Sequence, residues 1–152
     1  MYTGLLHFHS LLRWILLILL LVTAIKALLG MSGGKKFTSD DARLSLFTMI
    51  SAHLQLVFGV LLYMVSPVVQ SAISDMGSAM KNPIARFWAV EHISIMIVAI
   101  GLLTIGHIKA KKATADAAKF KAQALYFSIG LLLILISIPW PFREVGAGRG
   151  WF

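Results

Sequence analysis

The chain has 152 residues, of which 59% are hydrophobic and only 13% are charged. Soluble globular domains carry about twice that share of charge, and here the apolar residues gather into four long runs, so the composition indicates a lipid environment. The chain has no cysteine, which excludes disulfides, thiolate metal sites and iron–sulfur clusters.

The net charge of +8 is unevenly distributed along the chain. Nine basic residues flank the first and third loops between the apolar runs, and only five lie elsewhere. The nine are Lys26, Lys35, Lys36, Arg43, Lys109, Lys111, Lys112, Lys119 and Lys121, and the five are Arg13, Lys81, Arg86, Arg143 and Arg149. This asymmetry predicts that both basic loops are cytoplasmic and that both termini lie outside. We interpret the segment KAKKATADAAKFK as a solvated loop that sets this topology, with a nucleic-acid or anionic-lipid patch as the alternative.

We predict one domain, residues 1–152, folded as an all-α, integral membrane, up-and-down four-helix bundle. The predicted spans are about 5–29, 44–66, 85–108 and 122–138. The first run lacks the basic flank and cleavage signal of a signal peptide, so we expect it to remain as a helix. Thr38 or Ser39, followed by Asp40 and Asp41, is typical of a helix N-terminus and should begin the second helix.

Prolines mark the other boundaries. The second span should end before Pro67, Pro83 should open the third, and Pro139 and Pro141 should stop the fourth. The intervening segment VVQSAISDMGSAMKN suits a short interfacial helix. Aromatic residues near the outer face predict an interfacial belt of Tyr2, Trp88, Trp140 and Trp151.

Histidines within the spans suggest a cofactor. At about 1.5 Å rise per residue, His9 and His92 enter from the same side to a similar depth, on helices that lie diagonally in such a bundle. Two inward imidazoles at one depth can supply the opposed axial nitrogens of a b-type haem. Arg13 and Arg86 lie on the same outer side and are candidate partners of the haem propionates. We expect Glu91 to pair with one of these arginines or to relay a proton.

Other polar residues leave alternatives open. His53 can be a packing residue, a quinone partner or an alternative haem ligand to His92. Gln55 and Ser51 are most simply explained by hydrogen bonds between helices, and His107 by an interfacial position. A copper or zinc site would draw on His7, His9, His53 and His92. A cofactor-free scaffold subunit, with the tail PFREVGAGRGWF serving a partner, is the remaining rival.

Longer motifs resemble a known family. The segment SAHLQLVFGVLLYMVSP followed by RFWAVEHISIM resembles haem A synthases and related membrane b-type cytochromes, in which a Q-x-x-x-G helix precedes a helix with a haem histidine. Gln55 and Gly59 match the first element, His92 the second, and His9 the other ligand. More closely, HFHSLLRW, SAHLQL, FWAVEH and IPWPFREVGAGRGWF resemble small bacterial proteins labelled cytochrome b, over nearly the whole chain. This resemblance implies a location in a bacterial inner membrane. Haem A synthase has two four-helix units and a second histidine pair, so its oxidation chemistry is not expected here.

From the residues and the resemblance together we expect one haem b and a role in electron transfer as a small respiratory or redox subunit. Quinol and other redox subunits are the candidate partners, and nucleic acid is not expected.

Overall fold

A computed structural model describes residues 2–148, and within this range the protein is helical and contains no strand. The helices are α1 Tyr2–Ser32, α2 Ser39–Val65, α3 Pro67–Ser74, α4 Met76–Ala79, α5 Pro83–Arg86, a π-helical turn Phe87–Glu91, α6 His92–Lys112, α7 Asp116–Ser137 and a 3₁₀ turn Glu144–Gly146. The segments α5, π turn and α6 run on as one helix, Pro83–Lys112, which we call the third long helix. Arg149 and Trp151, which entered the predictions on charge and on the aromatic belt, lie outside the described residues.

Four helices are long and apolar enough to cross a membrane, which confirms the four apolar helices predicted from the sequence. They are Tyr2–Ser32, Ser39–Val65, Pro83–Lys112 and Asp116–Ser137. Each of them turns large apolar side chains outward. Ile18, Phe47, Val98 and Leu132 are all at least 57% exposed. Such continuous apolar exposure is rare on soluble monomers and suits contact with lipid.

The helices extend beyond the predicted spans because their polar ends are helical too. In particular, the segment KAKKATADAAKFK is not one solvated loop: α6 continues to Lys112 and α7 begins at Asp116, which leaves only residues 113–115 between them. That part of the prediction is wrong. Lysine and alanine are strong helix formers, and a lysine at a helix end can extend its ammonium group into water while its stem stays on the helix.

Local signals explain the helix ends. Thr38 caps α2 through a capping box, in which its hydroxyl accepts from the Asp41 N–H and its own N–H donates to the Asp41 carboxylate at 3.0 Å. The same carboxylate lies 2.8 Å from Lys26 Nζ on α1, so it also joins the first two helices. As predicted, α2 ends before Pro67, with Ser66 as its C-cap, and Pro83 is the first residue of α5.

Polar contacts between the long helices are few and specific. The Thr23 and Thr48 hydroxyls meet at 2.8 Å between α1 and α2, and Ser45 Oγ lies 2.9 Å from His107 Nδ1 between α2 and α6. The most extensive contacts of α1 are with α2 and α7, and those of α6 are with α7 and α2. These contacts leave a space near the start of α1, beside the π turn.

Candidate functional site

A cavity of about 550 Å³ lies in this space, between α1, α2, the third long helix and α7. It falls within the range of about 300–1,000 Å³ that is common for small-molecule and cofactor sites. His9, His92, Arg13 and Gln55 are among its polar lining residues. Its wall is otherwise largely apolar and includes Leu16, Leu56, Val60, Ile93, Met96, Ile100 and Ile134. The structure therefore brings both histidines proposed as haem ligands, and one of the two arginines, to a single cavity.

His92 is held in one orientation by a backbone carbonyl. Its Nδ1 lies 2.8 Å from the Ser137 carbonyl oxygen at the end of α7. Because a carbonyl can only accept, the Nδ1 carries the proton and donates it. In the neutral imidazole, Nε2 then keeps its lone pair. This is the usual arrangement of an imidazole ligand, whose second nitrogen is fixed by an acceptor.

The Ser137 carbonyl is available to His92 because of the prolines that follow. In a continuing helix it would accept from the N–H of residue 141, but Pro141 has none. The Leu135 carbonyl is likewise left without its helical donor and accepts from the Trp140 indole at 2.9 Å. The prolines were predicted only to stop the helix. The structure shows that they also leave a carbonyl that orients a cavity histidine.

His9 is held by α2. The side-chain nitrogen of Gln55 donates to the His9 carbonyl at 3.0 Å and lies 3.1 Å from His9 Nε2. Because the carbonyl oxygen can only accept, the Gln55 atom that faces it must be the amide nitrogen. His9 Nε2 then also accepts a hydrogen bond from this nitrogen. His9 Nδ1 and Gln55 Oε1 are buried and have no hydrogen-bond partner among the described residues.

Gly59 lies one turn after Gln55 and makes room for the same ring. A Cβ placed on Gly59 would lie 3.2 Å from His9 Cε1, which is tighter than ordinary contact. The Q-x-x-x-G spacing thus has a physical reason in this chain: the amide of Gln55 binds His9 and the missing side chain of Gly59 accommodates its imidazole. The expected interhelical hydrogen bond of Gln55 is confirmed, although its partner was not foreseen.

Arg13 and Arg86 occupy different environments. Arg13 lines the cavity, with its guanidinium 5.3 Å from the centre of the Trp14 ring. Arg86 is outside the cavity lining and its Nε lies 2.6 Å from Glu91 Oε1, one of the pairings predicted for Glu91. Ion pairs along an α-helix form at a spacing of three or four residues. The spacing of five is possible here because the π turn, closed by the His92 N–H on the Phe87 carbonyl, brings residues five apart onto one face.

The other histidines are placed elsewhere or at the margin. His53 is exposed on α2, with Nδ1 2.8 Å from the Met49 carbonyl and Nε2 3.4 Å from Thr104 Oγ1, and it does not line the cavity. His107 lies near the far end of α6, beside Ser45. His7 does line the cavity but is exposed. His9, and not His53, therefore shares a cavity with His92.

The donor set fits a haem better than a metal held by the protein alone. Within residues 2–148 no three His, Asp or Glu side chains converge on one point, whereas structural and catalytic zinc sites need three or four protein ligands. A haem iron needs only two axial nitrogens from the protein. His92 would provide one as it stands. His9 would provide the other if Gln55 released Nε2, and the amide could keep its second bond, to the His9 carbonyl.

Comparison of the chain with family models, with curated proteins and with solved structures returns no match. The resemblance to small bacterial membrane cytochromes therefore stays a prediction. Function has to be inferred from the geometry of the cavity.

Proposed function

We propose that the protein is an integral membrane cytochrome, an up-and-down four-helix bundle that binds one haem b through His9 and His92 and transfers electrons. One observation carries the proposal. His92 lines the cavity with its Nδ1 proton committed to the Ser137 carbonyl, and His9 lines the same cavity. The proposal includes membership of the small bacterial cytochrome b family, a location in the inner membrane, and termini on the outer side.

Two features support the membrane bundle. Four helices have the length and hydropathy to cross a bilayer, and their outward surfaces are apolar. Lysines gather where α6 ends and α7 begins, with Lys109, Lys111 and Lys112 in the last turn of α6. This is the distribution expected at a cytoplasmic interface.

The helix contacts support a bis-histidine site. Both α1 and α6 make their extensive contacts with α2 and α7, an arrangement in which α1 and α6 occupy opposite corners. His9 on α1 and His92 at the start of α6 then approach the cavity from opposite sides and would hold a haem between them. The apolar wall suits the porphyrin faces, and Arg13 supplies a positive charge for a carboxylate.

The residues have separable roles. Haem, when bound, would supply the one-electron redox chemistry. The bond from His92 to Ser137 fixes the plane of the imidazole and raises its basicity. Gln55 and Gly59 position His9. Apolar residues such as Met96 and Ile100 keep water from the interior of the cavity, and Arg13 favours the reduced, more negative state through its charge.

The test is an absorption spectrum of the purified full chain, produced in haem-replete cells. We expect a reduced-minus-oxidised spectrum with split α and β bands and one haem per chain. His92→Ala and His9→Ala should each abolish haem binding, while His53→Ala and His107→Ala retain it. Circular dichroism of each variant separates loss of the ligand from loss of the fold.

Several outcomes would contradict this assignment. A helical, well-behaved wild-type preparation without haem would refute the cofactor. Full haem retention in His9→Ala, together with loss in His53→Ala, would move the ligand role to His53. Retention in His92→Ala would remove the observation on which the proposal depends.

A quinone headgroup is the second candidate occupant. It is favoured by His9 Nδ1 and Gln55 Oε1, which are buried beside an apolar cavity without a hydrogen-bond partner in the described part of the chain. A quinol offers hydroxyl groups that can satisfy such atoms. Organic extraction of a colourless preparation that yields stoichiometric quinone would favour this candidate over haem.

A further inference from the structure

A second cavity, of about 460 Å³, lies at the opposite end of the long helices, between the start of α2, the end of α6 and the start of α7. We call it the basic pocket. Arg43, Lys111 and Lys119 line it, and no Asp or Glu is among the described residues that do so. Neither the predicted haem site nor the proposed electron transfer accounts for this concentration of positive charge around a cavity.

The inner wall of the basic pocket is polar and buried. Gln123 is 2% exposed and Ser45 is fully buried, and both line the pocket together with His107. Ser45 and His107 are hydrogen-bonded to each other at 2.9 Å. Ser39, the first residue of α2, also lines the pocket. Cations around a wall of buried polar side chains suit an anion with several acceptor oxygens.

The neighbouring acids do not neutralise the pocket. Asp41, in the first turn of α2, is bound to Lys26 and to the N–H of Thr38. Asp40 lies 3.7 Å from Arg43 in a highly exposed pair, and Asp116 lies 3.8 Å from Lys119 in a partly exposed one. Exposed pairs of this length contribute little. The guanidinium and ammonium groups can therefore reach an anionic ligand at small cost.

Apolar surface adjoins the cations. Phe37, Ala42 and Leu46 line the basic pocket, and exposed Phe47 and Ile50 continue from it along α2. A ligand with an anionic head and an apolar tail satisfies both parts, whereas a free anion satisfies only the first. Basic pockets between helices at the cytoplasmic side of membrane proteins are known to bind lipid headgroups.

We infer that the basic pocket binds the phosphate group of an anionic membrane lipid, with the acyl chains lying along the exposed face of α2. The inference rests on the membrane location proposed above and is independent of the haem. A positive haem spectrum does not test the lipid site, and failure of the lipid experiment leaves the haem assignment intact.

The experiment measures thermal unfolding of the full chain, purified in a neutral detergent, with increasing phosphatidylglycerol, phosphatidylcholine or inorganic phosphate. We expect saturable stabilisation by phosphatidylglycerol and none by phosphatidylcholine. Lys111→Gln and Lys119→Gln should each weaken the apparent Kd for phosphatidylglycerol by about fivefold, the effect of one cation close to an anionic lipid. Lys112→Gln and Lys121→Gln remove the same charge from exposed positions outside the pocket and should leave the Kd unchanged.

Three results would overturn the inference. Equal weakening in all four variants would mean that the whole basic surface attracts lipid without a defined site. Equal stabilisation by inorganic phosphate would replace the lipid by a soluble phosphate-bearing ligand. Absence of stabilisation by any of the three additives would remove the anion site altogether.

Discussion

Two glycines on α6 allow a sharp test of how closely the helices pack. Gly106 faces α7, and a Cβ placed on it would lie 2.6 Å from Tyr126 Cβ and 3.2 Å from the Phe127 ring. Gly101, on the same helix, has nothing within 4 Å of such a Cβ. The same substitution, glycine to alanine, should therefore have opposite effects at the two positions.

The magnitude follows from the geometry. Carbon atoms pack at about 3.5–4.0 Å, so Gly106→Ala requires α6 and α7 to separate locally by about 1 Å. Tyr126 Cβ is bonded directly to the backbone and cannot rotate away. Overpacking of this kind costs about 1–3 kcal/mol, whereas replacing a helical glycine by alanine contributes about 1 kcal/mol of stability. The helix-propensity contribution is common to both variants, so the difference between their free energies of unfolding isolates the packing cost.

The assay is reversible unfolding in mixed micelles, followed by circular dichroism. We expect Gly101→Ala to be as stable as the wild type or more stable by up to about 1 kcal/mol. Gly106→Ala should fall below Gly101→Ala by about 1–3 kcal/mol. Equal stabilities of the two variants would refute the close contact between α6 and α7 at this level.

Three further predictions concern the helix cap, the cavity charge and the topology. Asp41→Ala removes the capping-box acceptor and the partner of Lys26. It should lower the free energy of unfolding by about 1–3 kcal/mol in the same assay. An unchanged free energy would show that the cap contributes nothing. Arg13→Gln should lower the midpoint potential in a redox titration by about 59 mV or less, because a positive charge near the reduced haem is lost. Arg86→Gln should shift the potential less, since Arg86 pairs with Glu91. Equal shifts in the two variants would contradict this difference between the arginines. A single cysteine at exposed Ser78 should react with an impermeant maleimide in intact cells and one at exposed Ser32 should not; the reverse pattern would invert the topology.

Much of the fold could be predicted because its signals are local. Long apolar runs predict long helices in any lipid-facing chain, and Thr38, Pro67 and Pro83 each act on the backbone immediately around them. The shared depth of His9 and His92 also follows from the helical rise alone. Helix ends were less predictable, since lysines allow a helix to continue past its apolar part.

The contacts that position the site could not be predicted in the same way. That Gln55 binds His9 depends on which face of α2 meets α1. Because His53 and Gln55 lie on different faces of this helix, the sequence does not reveal which face is packed. That Ser137 orients His92 depends on two helices distant in sequence meeting at the end of α7. The pairing of Arg86 with Glu91 was a possibility, but its geometry requires a π turn, which has no simple sequence pattern.

The π turn has a consequence for chain length. It holds one residue more than an α-helical turn would, as if a single amino acid had been inserted before His92. Removing one residue, such as Val90, would restore uninterrupted α-helix and bring Arg86 and Glu91 to the ordinary spacing of four. Because the extra residue is contained in the wide turn, its loss would shorten the helix by one residue and leave the segments on either side facing nearly as they do now. The spacing within the turn would change, since Trp88, which lines the cavity, would stand three residues before His92 instead of four. The π turn therefore marks a position where this helix can lose a residue without losing its ion pair, while the aromatic side chain next to His92 shifts.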